Sequence, residues 1–177
     1  KCMQAALEVL KPLIVAEKTE EIGTVVVGTV QGDLHDIGKK IVAMMLEAAG
    51  FTVVDLGVTV TPDQFMEAIE EHNPIIVGFS ALLTTTMNMQ WETIKRITAE
   101  GKREDLKVFV GGAPISQNWC DKIEADAYAM DALVAVEKAK ACVTNLANMK
   151  GGEPALHEAM IAIDVEREQA KLEADSA

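Results

Sequence analysis

Cysteine is scarce: Cys2, Cys120 and Cys142 are the only three among 177 residues, and no C-x-x-C pair occurs. Thiols so few and so far apart argue against a disulfide framework or a cysteine-built zinc site, and they suit a reducing, cytoplasmic setting. Aromatic residues are only 4% of the chain, so a core must be assembled from Val, Ile, Leu, Ala and Met. Cations are in the minority, with 16 Lys and Arg against 28 Asp and Glu and a net charge of -12. No Lys/Arg cluster stands out, which argues against a nucleic-acid partner and an anionic membrane surface. No apolar run reaches the roughly 18 residues of a membrane span, and no signal-peptide pattern is visible. A Walker loop, a G-x-G-x-x-G turn and a Ser-His-Asp set are also missing.

What is present is an alternation of strand and helix patterns. The β-branched run "TVVVGTV" (residues 24–30) reads as a first strand. Residues 36–49 carry Ile37, Ile41, Met44, Met45 and Ala48 at helical spacing, and Gly50 stops them. "FTVVDL" (51–56) is a second strand. Thr61-Pro62-Asp63 opens a helix, with Thr at the cap and Pro at the first helical position; it runs to about His72. "PIIVGF" (74–79) is a third strand, followed by a helix over 86–100 that places Met87, Trp91, Ile94 and Ile97 on one face. "LKVFV" (106–110), a short helix over 115–123, a weak strand over 125–129 and a helix capped by Asp131 and running to about Met149 complete the series.

Strands apolar on both faces and separated by helices predict a parallel sheet covered on both sides. The expected fold is α/β: a flavodoxin-like, doubly wound, five-stranded sheet of order 2-1-3-4-5. Residues 1–22 read as a helical remnant or linker and 23–150 as the Rossmann-like domain. Residues 151–177 read as a C-terminal helix, either docked or partner-binding. The sequence begins at Lys1 in the middle of a helical pattern that Pro12 would kink.

In such a sheet the ligand crevice lies beyond the carboxyl ends of the strands, at the switch point between strands one and three. Four signals fall on that edge: Asp33-x-His35-x-x-Gly38 after strand one, Ser80-x-Leu82 after strand three, Gly111-Gly112 after strand four, and Tyr128 to Asp131 after strand five. Singly, each has a bland reading. Asp33 would be a turn or cap, His35 a hydrogen-bonded structural residue, Gly38 loose packing. Their convergence on one edge carries the weight. A neutral imidazole is a good metal ligand, and a carboxylate two residues away, Asp33, is a natural partner for its other ring nitrogen. Asp36 reads instead as a first-turn residue favoured by the helix dipole. Gly28 and Gly78 lie inside strands, where glycine marks close approach of another group.

The ordered set resembles the cobalamin-binding domain of corrinoid proteins, in which a protein histidine replaces the cofactor's own benzimidazole below cobalt. "EAAGFTVVDLG" and "GFSALLTTTM" are similar to corrinoid proteins of anaerobic methyltransferase systems and to the cobalamin domain of methionine synthase. The resemblance covers residues 23–149. It implies that His35 ligates cobalt with Asp33 as its partner, and that Ser80 extends this relay. Asp36, Ile37 and Gly38 would face the cofactor, with Gly38 permitting close approach. Gly111 and Gly112 would make room for the displaced nucleotide tail. Ser80, Ala81, Thr84 and Thr85 would line its channel, Leu82 would contact the cofactor, and Tyr128 and Asp131 would lie at the far end.

The resemblance also implies a function. The chain would be a cytoplasmic carrier that binds cobalamin with the benzimidazole off and the histidine on. It would shuttle a methyl group, as methylcobalamin in turnover, from a substrate-specific methyltransferase to a second methyltransferase serving coenzyme M or tetrahydrofolate. A reductive activation protein would be a further partner. Such a carrier is a component of a methyltransferase system in one-carbon metabolism, methanogenesis or acetogenesis, not a complete enzyme. Its relatives usually carry a four-helix cap before this domain, to which only residues 1–18 could belong.

Three alternatives compete. An adenosylcobalamin mutase subunit shares D-x-H-x-x-G, although "SALLTTTM" sides with methyl transfer. A cobalamin-sensing regulator would need a DNA-binding module, which this acidic chain does not show. A binuclear metallophosphatase shares "GDLHD" but needs later G-D-x-x-D and G-N-H motifs, which are absent. His72 reads as a helix-end residue, His157 as solvent-facing, Met44, Met45, Met87 and Met89 as packing, and Trp91 and Trp119 as core or interface.

Overall fold

The structure, a computed structural model, describes residues 22–148. The helices expected over 1–18 and from Glu153 onward, with Cys2 and His157, lie outside those residues. Five strands alternate with helices: β1 (Thr24–Thr29), α1 (Ile37–Ala48), β2 (Thr52–Asp55), α2 (Pro62–His72), β3 (Ile76–Ser80), α3 (Asn88–Ala99), β4 (Lys107–Gly111), α4 (Gln117–Lys122), β5 (Ala127–Tyr128) and α5 (Ala132–Asn148). All strand pairs are parallel and the sheet order is β2-β1-β3-β4-β5, as the alternation predicts. None of the helices among the described residues is long and apolar enough to cross a membrane.

The continuous apolar runs have a direct cause. Successive side chains of a strand point to opposite faces, and both faces here are covered. Val25, Val27, Ile76 and Phe109 pack with Ala43 and Leu46 of α1 and with Ala139 and Cys142 of α5. Val26, Val77, Phe79, Val108 and Val110 pack against Phe65 and Ile69 of α2, Ile94 and Ile97 of α3, and Cys120. Cys120 and Cys142 are both buried, and burial pushes the Cys142 thiol up to about 11.

Local signals set the helix ends. Thr61 accepts from the Gln64 N–H at 3.2 Å, and the Gln64 side chain accepts from the Thr61 N–H at 2.9 Å, a reciprocal capping box with Pro62 at the first helical position. Beyond α1, Gly50 takes φ +100° and the Phe51 N–H returns to the Leu46 carbonyl at 3.1 Å.

Two expectations need correcting. The inward face of α3 is Gln90, Thr93, Ile94 and Ile97, whereas Trp91 is exposed beneath the Lys95 ammonium. Gln90 can be buried because its amide donates to the Phe79 and Gly111 carbonyls and accepts from the Trp119 indole at 3.0 Å, leaving nothing unpaired. Gly28 does mark a close approach, but of core: a Cβ there would lie 2.6 Å from the Phe65 ring.

Candidate functional site

The order β2-β1-β3 brings the loops after β1 and β3 side by side, and Asp33 ties them together. Its Oδ1 accepts from the His35 backbone N–H at 3.0 Å and lies 2.7 Å from His35 Nδ1. Its Oδ2 accepts from the backbone N–H groups of Leu82 and Leu83 at 2.7 and 3.2 Å and from the Thr86 hydroxyl at 2.8 Å. Burial alone would raise the pKa of this carboxyl. The hydrogen bonds from His35, Leu82 and Thr86 outweigh that and hold it well below the usual carboxylate range. As an anion Asp33 accepts only, so Nδ1 is the donor in this contact, and a neutral ring would carry its lone pair on Nε2.

Burial and exposure divide cleanly between the pair. Asp33 is 0% exposed and the His35 side chain 52%. A half-exposed ring with one nitrogen fixed by a buried carboxylate has its other nitrogen left to offer a metal. Among the described residues no group of three or more His, Cys, Asp or Glu gathers as a metal cage. The dinuclear arrangement of a metallophosphatase thus gains no support. His35 would be one protein ligand to a metal held chiefly by something else.

A cleft of about 1060 Å³ opens beside His35 on the α1/α5 side of the sheet. Ser80, Leu82, Gly111, Gly112, Tyr128 and Asp131 line it, as do Asp36, Ile37 and Gly38. It reaches down between α1 and α5 to Val25, Ile76 and Ala139. Ser80 and Ile76 lie four positions apart on β3, about 13 Å at strand rise. A Cβ at Gly38 would meet nothing within 4 Å, so that glycine leaves the mouth open. Around the mouth stand exposed apolar side chains, Leu34, Ile37, Leu82, Met130 and Leu133. A rim of this kind marks a binding surface. A deep, largely apolar slot, an apolar rim and one outward imidazole fit a corrin with its nucleotide tail drawn into the protein.

The structure redistributes several expected roles. Thr86, not Ser80, bonds Asp33; Ser80 lines the cleft and offers its carbonyl to the Val30 N–H at 3.0 Å. Thr84 and Thr85 are exposed on the turn and do not line the cleft, and Ala81 is buried beneath it. Gly112 is required by backbone rather than by a ligand: with φ at +132°, a Cβ there would sit 1.7 Å from the Ala81 carbonyl oxygen. Asp36 occupies the N-cap of α1 without a capping bond and pairs instead with Lys40. Asp131 caps α5, accepting from the Val134 N–H at 2.9 Å.

Sequence reasoning missed Thr86 and Lys39. Thr86 lies six residues beyond Ser80, and only the turn of the chain after β3 brings it back to Asp33. Lys39 lines the cleft, buried, with its ammonium on Asp55 at the end of β2. A lysine in the first turn of a helix has no sequence signal that sets it inside.

The model of the family described as "B12 binding domain" matches residues 23–142. The trimethylamine corrinoid protein 2 of Methanosarcina mazei is 46% identical over 145 residues, 81% of this chain and 66% of that protein. The solved Methanosarcina barkeri monomethylamine corrinoid protein superposes with a TM-score of 0.70 at 39% identity, covering 77% of this chain and 65% of that one. A chain of the methanol:cobalamin methyltransferase complex from Methanosarcina barkeri gives 0.66 at 30% identity, over 80% of this chain and 54% of that one. This chain spans two thirds or less of the length of each. On the family match, and on a site that fits a corrin, the chain belongs to the B12-binding domain family, whose cofactor is a corrinoid.

Proposed function

We propose that the chain is the cofactor-holding part of a corrinoid methyl carrier, serving a substrate-specific methyltransferase and a second methyltransferase for coenzyme M or tetrahydrofolate. The observation that carries the reading is the half-exposed His35 imidazole with Nδ1 on buried Asp33. The methylamine relatives and the methanol methyltransferase complex point to the same chemistry.

Each residue has a defined part. His35 offers Nε2 as lower ligand in place of the cofactor's benzimidazole. Asp33 orients the ring, raises its basicity and, through Thr86, is joined to the loop after β3. The Asp33–Thr86 link gives the His35 N–H a fixed anionic acceptor, so a change in demand at Nε2 is met by a shift of the Nδ1 proton toward Oδ1. The slot between the sheet and α1/α5 takes the displaced nucleotide tail and excludes water from it. The cobalt, when bound, supplies the group-transfer chemistry. Among the described residues the mouth is open, which would leave a bound corrinoid accessible to partner enzymes.

The test is to mix the folded protein with hydroxocobalamin and read the absorption spectrum. The reading predicts a bound, benzimidazole-off form with imidazole on cobalt, lost in His35→Ala. Failure to bind, or binding with the benzimidazole retained on cobalt, refutes it.

A further inference from the structure

The loop that carries His35 is held from two sides by residues outside the D-x-H-x-x-G motif. From below, the hydroxyl of Thr29, fully buried at the end of β1, donates to the His35 carbonyl at 3.0 Å. From the side, the turn after β2 reaches across. The Gly32 N–H donates to the Thr59 hydroxyl at 3.0 Å, and the Thr59 N–H donates to the Asp33 carbonyl at 3.1 Å. The next residue continues the contact, with the Val60 N–H on the Thr29 carbonyl at 2.9 Å and a parallel bridge between Val30 and Val60.

Thr59 does this from an unfavourable conformation. Its φ is +52°, the left-handed region that β-branched residues seldom enter and that glycine occupies freely. Gly57, two residues earlier, already has φ +84°, so the turn does use glycine where only the backbone matters. A glycine at 59 would relieve the conformation but could not accept from Gly32. What threonine adds is its hydroxyl. That hydroxyl and the Thr59 N–H bracket Gly32 and Asp33, the residues that aim the carboxylate at the imidazole.

We propose that Thr59 is a positioning residue for His35, holding Gly32 and Asp33 so that Asp33 Oδ1 stays on Nδ1. This rests on the reading of His35 as the lower ligand, and it is tested separately from it. Two measurements use the apo chain: the hydrogen-exchange rate of the Gly32 amide and the ring-nitrogen NMR shifts of His35. The third uses the cob(II)alamin-loaded chain and reads, by electron paramagnetic resonance, the fraction of cobalt showing coupling to an imidazole nitrogen.

In Thr59→Gly, the Gly32 amide should exchange about three- to tenfold faster, the scale of one lost hydrogen bond. The His35 shifts should move toward those of a free imidazole, and the imidazole-coupled fraction should fall. Thr59→Ser should behave as wild type in all three. Thr59→Asn, which tolerates the left-handed region and carries its own acceptor, should stay closer to wild type than Thr59→Gly. The proposal is overturned if Thr59→Gly matches wild type, or if Thr59→Ser is as impaired as Thr59→Gly. Wild type showing no imidazole on cobalt would sink the ligand reading, while the two apo measurements would still decide the clamp.

Discussion

His35 Nδ1 stands 2.7 Å from Asp33 Oδ1, with the carboxylate sealed inside the protein and the imidazole half open to solvent. The two acids flanking His35 consequently differ in kind. Asp33 is buried and accepts five hydrogen-bond contacts, two on Oδ1 and three on Oδ2. Asp36 is a surface partner of Lys40. Asp33→Asn should weaken corrinoid binding about 10- to 100-fold, the usual effect of removing a partner that orients a metal ligand. Asp36→Asn should change it less than about threefold, since exposed ion pairs contribute little. Equal losses in a binding titration would contradict this division.

The same carboxylate makes the apo fold acid-sensitive. Its unfolded pKa is near 3.8 and its folded pKa lies below that. It therefore contributes stability that is fully present above about pH 4 and is lost as pH falls toward the folded value. In urea titrations between pH 7 and 2, wild type should lose stability below pH 4 more steeply than Asp33→Asn. Parallel curves would show that the hydrogen bonds to Asp33 do not bias its ionisation.

Two glycines of the motif set should respond in opposite ways. Gly112→Ala forces a Cβ into the Ala81 carbonyl at a φ of +132° and should destabilise the apo chain by at least about 2 kcal/mol. Gly38→Ala, inside α1 and facing open space, should stabilise it by about 0.5–1 kcal/mol while weakening corrinoid binding. Chemical denaturation and a cobalamin titration on the same two variants read both effects.

Filling the slot should discriminate between ligands. Ala139 lies deep in the cleft wall on α5, far from His35 in sequence. Ala139→Leu should weaken cobalamin binding by tenfold or more, equivalent to about 1.4 kcal/mol. It should leave the binding of cobinamide, which has no nucleotide tail, close to wild type. Equal losses for both ligands would place the tail elsewhere.

The sequence made the architecture legible because its signals are local: β-branched runs for strands, a Thr-Pro start for α2, apolar spacing for α1. The sheet order followed from the parallel alternation, and the four motifs fell on one edge because that edge is where every strand ends. What stayed hidden depends on contacts across the chain. Thr86 reaches Asp33 over 53 positions and Thr59 reaches Gly32 over 27, distances at which no periodicity helps. Gln90 broke the apolar stripe of α3 because three partners from other elements satisfy it. The resemblance implies a channel lined by Thr84 and Thr85, but the turn after β3 leaves both exposed to solvent.

The most direct measurement of the central claim is electron paramagnetic resonance of the cob(II)alamin-loaded protein grown with ¹⁵N-histidine. If His35 is the lower ligand, the nitrogen splitting changes from three lines to two on labelling, and His35→Ala removes the labelled coupling. If the splitting keeps three lines in the labelled protein, the nitrogen on cobalt belongs to the cofactor's own base and the account of this site is wrong.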